Sequence, residues 1–147
     1  VQLDDINKAI LSHLKDGRLS FKKIADILSI TENTVRSRVK KLQESGILDI
    51  SGYVDPESMA GHQIAYMGIK LNTMEMTAKG EEISRLKRVI SVGVVTGRYD
   101  LIVCVHLKSG FGLLEFINEE LTSIDDIQSV ETFVVYKGFN LKVPYIV

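Results

Sequence analysis

The sequence predicts an α+β chain in which an N-terminal winged helix-turn-helix is followed by a ferredoxin-like βαββαβ sandwich domain. Three observations carry that expectation. Apolar residues recur at helical spacing in three short capped segments before Gly52, and they alternate or run together at strand spacing in several segments after Gln63. The charge also changes sign along the chain: residues 1–52 hold nine Lys/Arg against seven Asp/Glu, giving +2, and residues 53–147 hold nine against twelve, giving −3. The expected division is therefore a helical domain over 1–52, a linker over 53–63 and a sheet domain over 64–147.

Taken in order, Asp4 or Asp5 is predicted to cap a first helix with Ile6, Ile10 and Leu14 inward, ended by Gly17. Ser20 caps a second helix that turns Ile24, Ala25 and Leu28 inward and leaves Lys22 and Lys23 outside. A tight turn at Ser29-Ile30 leads to Thr31, the cap of a third helix running to about Ser45 and stopped by Gly46, with Val35, Val39 and Leu42 as its buried stripe. Ile47–Tyr53 then reads as a short β-hairpin wing.

At about 100° per residue the third helix sets Asn33, Ser37 and Lys40 opposite its buried stripe, with Thr34 and Lys41 beside them and Arg36 and Arg38 on the flanks. Arg and Lys pair with guanine edges or phosphates, Asn with adenine, Ser and Thr with either, so this face suits the major groove of double-stranded DNA. A solvated basic helix face in a protein that never meets nucleic acid has the same charge. Confinement of the basic residues to the third helix and its approach favours the groove: six basic residues stand between Ser20 and Lys41 against two acidic ones. The expected contact set is Lys22, Lys23, Thr31, Asn33, Thr34, Arg36, Ser37, Arg38, Lys40 and Lys41.

The stretch Asp55-Pro-Glu-Ser-Met-Ala-Gly-His62 is rich in breakers and reads as the connection between domains. Beyond it the periodicity predicts a strand over 64–71, a helix over 78–89 with Ile83, Leu86 and Ile90 inward, and a strand over 92–96. After a turn at Gly97-Arg98 come a strand over 99–107, a helix over 112–121 with Leu113, Leu114, Ile117 and Leu121 inward, and a strand over 128–136. In the split βαβ arrangement both helices lie on one face of the sheet. Yet the 99–107 strand is apolar on both sides, Leu101, Val103, Val105 and Leu107 alternating with Ile102, Cys104 and His106. A half-solvated sheet does not look like that, so the second face must be covered, and a second copy of the chain, in a two-fold homodimer, is the expected cover.

Composition narrows the function classes. With 45% apolar and 25% charged residues, two prolines and eleven glycines, the chain is neither disordered nor collagen-like. No apolar run approaches the roughly 20 residues that cross a bilayer, so no membrane partner is expected. The single Cys104 has no internal disulfide partner, and with no secretory segment evident a reducing, cytoplasmic setting is expected. Three scattered histidines and one cysteine make no zinc set, and no metal or cofactor is expected. Cys104 and His106 could form a nucleophile–base pair, but packing explains both more simply.

The run from Arg18 to Leu48 resembles the winged helix-turn-helix of the Lrp/AsnC, or feast/famine, transcription regulators. Leu3-Asp-Asp-Ile at the start, Arg38-Val-Lys-x-Leu42-x-x-x-Gly46-Ile47 in the third helix and Val95-Thr-Gly-Arg-Tyr-Asp-Leu101 later fall in that family's order and spacing, so the resemblance covers nearly the full chain. It implies a sequence-specific DNA-binding regulator rather than an enzyme, dimers that assemble further to tetramers or octamers, and an amino acid or similar metabolite as effector. The family's Gly-x-Tyr-Asp motif, at a cleft between subunits, matches Gly97, Tyr99 and Asp100, with Arg98 in the variable slot. There Asp100 could pair with an α-ammonium and backbone N–H groups near Gly97 could receive a carboxylate. A plain turn, with Gly97 at positive φ and local hydrogen bonds from Tyr99 and Asp100, is the alternative reading of these residues. Two other functions share the architecture: a sirohaem-decarboxylase-like enzyme and a chromatin-like protein that organises DNA with little sequence preference.

Overall fold

Two units, divided after Gly52, each close on a core of their own. The computed structural model describes residues 1–146, so Val147, the last residue assigned above to the sheet domain, lies outside the described residues.

The N-terminal unit contains α1 (Asp5–His13), α2 (Phe21–Leu28) and α3 (Glu32–Glu44). Each starts at a side-chain cap: Asp4 accepts from the Asn7 N–H, Ser20 from Lys23 and Thr31 from Thr34. Ser29 ends α2 in the left-handed region at φ 55°, which turns the chain sharply toward α3. Ile10, Ile24, Ala25, Val35 and Val39 form the shared core, with Leu14, Phe21, Leu28 and Leu48 packed around it. The inner face of α1 differs from the expectation. Ile6 is 37% exposed and Asn7 is buried in its place, because spacing of three then four (Asn7, Ile10, Leu14) follows the helical period better than repeated fours. Asn7 is tolerated there because its amide donates to the Gln2 carbonyl and its oxygen accepts from Arg38.

The predicted wing is not a hairpin. No strand pairing occurs within Ile47–Gly52, and the strand that follows, β1 (Tyr53–Val54), pairs antiparallel with β6 (Val143–Pro144) near the far end of the chain. Ile47 and Leu48 instead send their N–H groups to the Leu42 carbonyl, closing α3. The stretch 53–63 is consequently no free linker: β1, a 3-10 turn at Pro56–Ser58 and the start of the next strand all belong to the second unit.

That unit continues with β2 (Gln63–Leu71), α4 (Met76–Ser84), β3 (Val89–Val94), β4 (Leu101–Leu107), a helical segment α5 that starts at Leu113–Glu115, and β5 (Ile127–Val134). The four long strands lie in the order β3-β4-β2-β5, all neighbours antiparallel, which is the ferredoxin-like arrangement. Ala65, Met67 and Ile69 of β2 and Leu101, Val103, Val105 and Leu107 of β4 form a core with Ile83 of α4 and Phe116 of α5. Two helices depart from their expected register. α4 ends at Ser84, so Ile90 lies on β3 and is exposed rather than inward. α5 passes into a π-helical turn at Phe116–Glu120 and a 3-10 turn at Leu121–Ser123. The wider turn rotates the face by about one residue, so Phe116 is buried while Leu114, expected inward, is 65% exposed.

The second face of the sheet is partly covered from within the chain. Val143 of β6 packs with Ile64 and Cys104, flanked by Val54, Tyr66, Val135 and Leu141. Phe133 on the same face remains 48% exposed.

Candidate functional site

α3 presents its polar face as the sequence predicts: Asn33, Arg36, Ser37, Lys40 and Lys41 are exposed and Thr34 is half-buried. Asn33, Thr34, Ser37, Arg38 and Lys41 border an open concavity of about 350 Å³. Lys22 and Lys23 are exposed in the first turn of α2. The side chains differ in how far they are already engaged. Thr31 and Thr34 share a hydroxyl–hydroxyl bond of 2.8 Å, so both are fixed in rotamer at the start of α3. Arg36 is paired with Glu32 at 2.7 Å and lies 5.5 Å from the Phe21 ring centroid, which holds its guanidinium near the start of α2. Lys40 makes a long pair with Glu44, at 3.8 Å.

Arg38 stands apart from the others. Its Nη1 donates to both Asp4 carboxylate oxygens, at 2.9 and 2.7 Å, and to Asn7 Oδ1 at 3.1 Å. These bonds tie α3 to the start of α1, so Arg38, expected among the groove contacts, acts in the free protein as the brace that orients α3. The Asp4 carboxyl is held below its usual range, first by the Asn7 N–H and then by Arg38.

In the sheet unit the candidate residues meet at the β3–β4 turn. Gly97 has φ 126°, a conformation that disfavours any side chain there. Asp100 is bonded to β2 twice: its N–H donates to the Ile69 carbonyl at 2.9 Å, and its Oδ2 accepts from the Leu71 N–H at 2.8 Å, where β2 bulges. Its carbonyl also accepts from Val95 at 3.0 Å. The Tyr99 ring lies over Gly68; a Cβ on that glycine would sit 2.6 Å from the ring. Phe133 meets the other side of Tyr99 edge-on, with centroids 6.4 Å apart. Tyr99 and Asp100 thus carry structural duties, while Gly97 and Arg98 stand exposed at the tip and Asp100 Oδ1 keeps acceptor capacity for a cationic group.

Cys104 and His106 do not form a nucleophile–base pair. Cys104 belongs to the cluster with Ile64 and Val143, and burial pushes its thiol up, with the Tyr66 hydroxyl opposing the shift. His106 meets His62 instead, Nε2 to Nδ1 at 2.9 Å. Burial holds the His106 imidazole below its ordinary value, and the neighbouring charges of His62 and Arg88 act in the same direction. The His62–His106 pair joins positions 44 residues apart, with no local signal to reveal it. Among the described residues no group of three His, Cys, Asp or Glu side chains could hold a metal ion, and no helix is long and apolar enough to cross a membrane.

Comparison with known proteins identifies both domains. Residues 3–43 match the AsnC-type helix-turn-helix domain and residues 64–141 the Lrp/AsnC ligand binding domain. An uncharacterised helix-turn-helix-type transcriptional regulator of Pyrococcus abyssi is 33% identical over 137 residues, which cover 92% of this chain and 87% of the relative. The structure of Escherichia coli AsnC superposes with a TM-score of 0.66 at 23% identity, covering 94% of this chain and 95% of that one. A transcriptional regulator of Neisseria meningitidis, solved as its complex with L-methionine, superposes with a TM-score of 0.68 at 19% identity, covering 99% and 97%. At these identities the two structures speak to the fold.

Proposed function

The chain belongs to the Lrp/AsnC family of transcription regulators, and from that membership we propose that it is a cytoplasmic, non-catalytic regulator that binds operator DNA sequence-specifically and answers to an amino acid or a related small metabolite. One observation carries the DNA reading. The helix that a helix-turn-helix lays into the major groove exposes Asn33, Ser37 and Lys41 around a concavity, while its apolar stripe, Val35, Val39 and Leu42, is buried. Asn33, Ser37, Lys40 and Lys41 are the base and phosphate contacts of this reading; Lys22, Lys23, Thr31, Thr34 and Arg36 approach the backbone, and Arg38 holds α3 in position. The domain over 1–52 reads DNA, and the remainder assembles the homodimer and holds the effector.

The effector site proposed is the β3–β4 turn, where Asp100 Oδ1 would meet an ammonium group and the exposed backbone near Gly97 a carboxylate. The Neisseria relative, a complex with L-methionine, supports a free amino acid as ligand class. Regulation then follows from differential affinity of the effector for two states of the assembly.

The test is gel retardation with DNA from the protein's own promoter. Lys41→Ala is expected to weaken specific binding about tenfold, one contact of roughly 1–3 kcal/mol, with the chain's thermal unfolding unchanged. Unaltered retardation would remove α3 from the groove. A chromatin-like protein would instead bind random duplex as tightly as promoter DNA, with the same steep loss of affinity as salt rises.

A further inference from the structure

α3 opens with Glu32, the residue after the Thr31 cap, and carries Arg36 one turn later. Arg36 Nη2 donates to Glu32 Oε1 at 2.7 Å, and the guanidinium carbon lies 5.5 Å from the ring centroid of Phe21, the first residue of α2. Two groups on different helices thus fix one guanidinium. The bond uses Nη2 and leaves Nη1 and Nε for another acceptor, and the arginine side chain is 59% exposed. Lys22 and Lys23, both exposed, follow Phe21 in the same turn of α2. The Lys40–Glu44 pair, at 3.8 Å, is too long to fix a side chain in this way.

In the free protein Glu32 contributes little. A carboxylate suits the start of a helix and an exposed pair four residues apart adds slightly to it, both small effects at a side chain that is 45% exposed. On DNA the same carboxylate is a liability, because it stands in the first turn of the groove helix and is repelled by the phosphates. Orientation offsets that repulsion. A mobile arginine loses rotamer freedom when it grips a phosphate, whereas Arg36 is ordered before contact.

We propose that Glu32 is a positioning residue that sets the specificity of DNA binding through Arg36. Held by Glu32 and Phe21, Arg36 offers Nη1 and Nε as a fork to one phosphate beside the first turn of α2. Phosphate contacts fix the register of a protein on its duplex, and a fork set in advance fits its phosphate in one docking of α3. In any other docking the fork misses and the Glu32 carboxylate still repels the backbone, so wrong sites are penalised twice. This inference rests on the reading of α3 as the groove helix and adds to it the residue that makes a backbone contact discriminate.

Fluorescence anisotropy of the full chain on promoter DNA and on a random duplex of equal length tests the assignment. Glu32→Ala, at an exposed position, is expected to bind the promoter about fivefold more weakly and the random duplex about twofold more tightly, so that preference falls about tenfold with the circular dichroism unchanged. Glu32→Gln loses the charge but keeps an acceptor for Arg36, and is expected to bind the promoter within about twofold of the parent. In an Arg36→Lys background Glu32→Ala is expected to leave the preference where it stands, because no fork remains to be placed. A rise in affinity for both duplexes by one factor in Glu32→Ala, a Glu32→Gln variant as weak on the promoter as Glu32→Ala, or the same fall in preference in the Arg36→Lys background overturns the proposal. A parent chain that prefers its promoter while the variants fail in these ways overturns this proposal alone; a parent chain with no preference overturns the operator reading as well.

Discussion

Gly68 shows how much a single missing side chain decides. With no Cβ on that residue, the Tyr99 ring lies flat on the centre of the sheet and meets Phe133, and with Tyr99 goes the path of the Gly97–Asp100 turn. Gly68→Ala places a methyl 2.6 Å from that ring. The variant is expected to lose about 1–3 kcal/mol in urea unfolding and to displace the Tyr99 ring signals, the cost of overpacking a filled site. Unchanged Tyr99 resonances would mean the ring has room the structure does not show. Arg38 makes the complementary point. It carries the same charge as Arg36, yet three bonds to Asp4 and Asn7 make it a brace between helices, a role decided by which neighbours the fold brings within reach.

Among the elements, α5 departs furthest from its sequence pattern. An α-helical period turns Leu113, Leu114, Ile117 and Leu121 inward, whereas the π turn at Phe116–Glu120 buries Phe116 completely and releases Leu114. Phe116→Ala is expected to destabilise the sheet unit by about 3–5 kcal/mol, whereas Leu114→Ala should fall within about 0.5 kcal/mol of the parent; denaturant titration measures both. Comparable losses would mean that the regular helix is the correct description. The β1–β6 pair is the other element sequence reading did not supply. Two residues in each strand carry too little periodicity to be seen, and their pairing partners stand 91 and 89 residues apart, Tyr53 with Pro144 and Val54 with Val143.

For the molecule as a whole, the sheet face matters most. β6 covers Ile64 and Cys104 from within the chain, so the self-made cover accounts for part of the apolar face and leaves Phe133 half exposed. A homodimer through this face would hold two α3 helices at fixed separation, and two half-sites about 34–36 Å apart would be read together. The fragment 1–52, which has its own core, is therefore expected to bind promoter DNA at least about 100-fold more weakly than the full chain, by loss of the linked second contact. Equal affinity in fluorescence anisotropy would show that pairing contributes nothing to recognition.

Local signals are legible in the sequence. The caps at Asp4, Ser20 and Thr31, the buried stripe of α3, the polar face opposite it and the βαββαβ order all follow from spacing and side-chain chemistry within a dozen residues, because helix and strand periods are properties of neighbouring positions. What depends on residues far apart in the chain came only with the fold. The bond from Asp100 to Leu71, the Arg38 brace, the β1–β6 cover and the His62–His106 pair beside Arg88 each join segments brought together by packing, and a linear pattern carries no record of which distant groups will share a few cubic ångströms of interior.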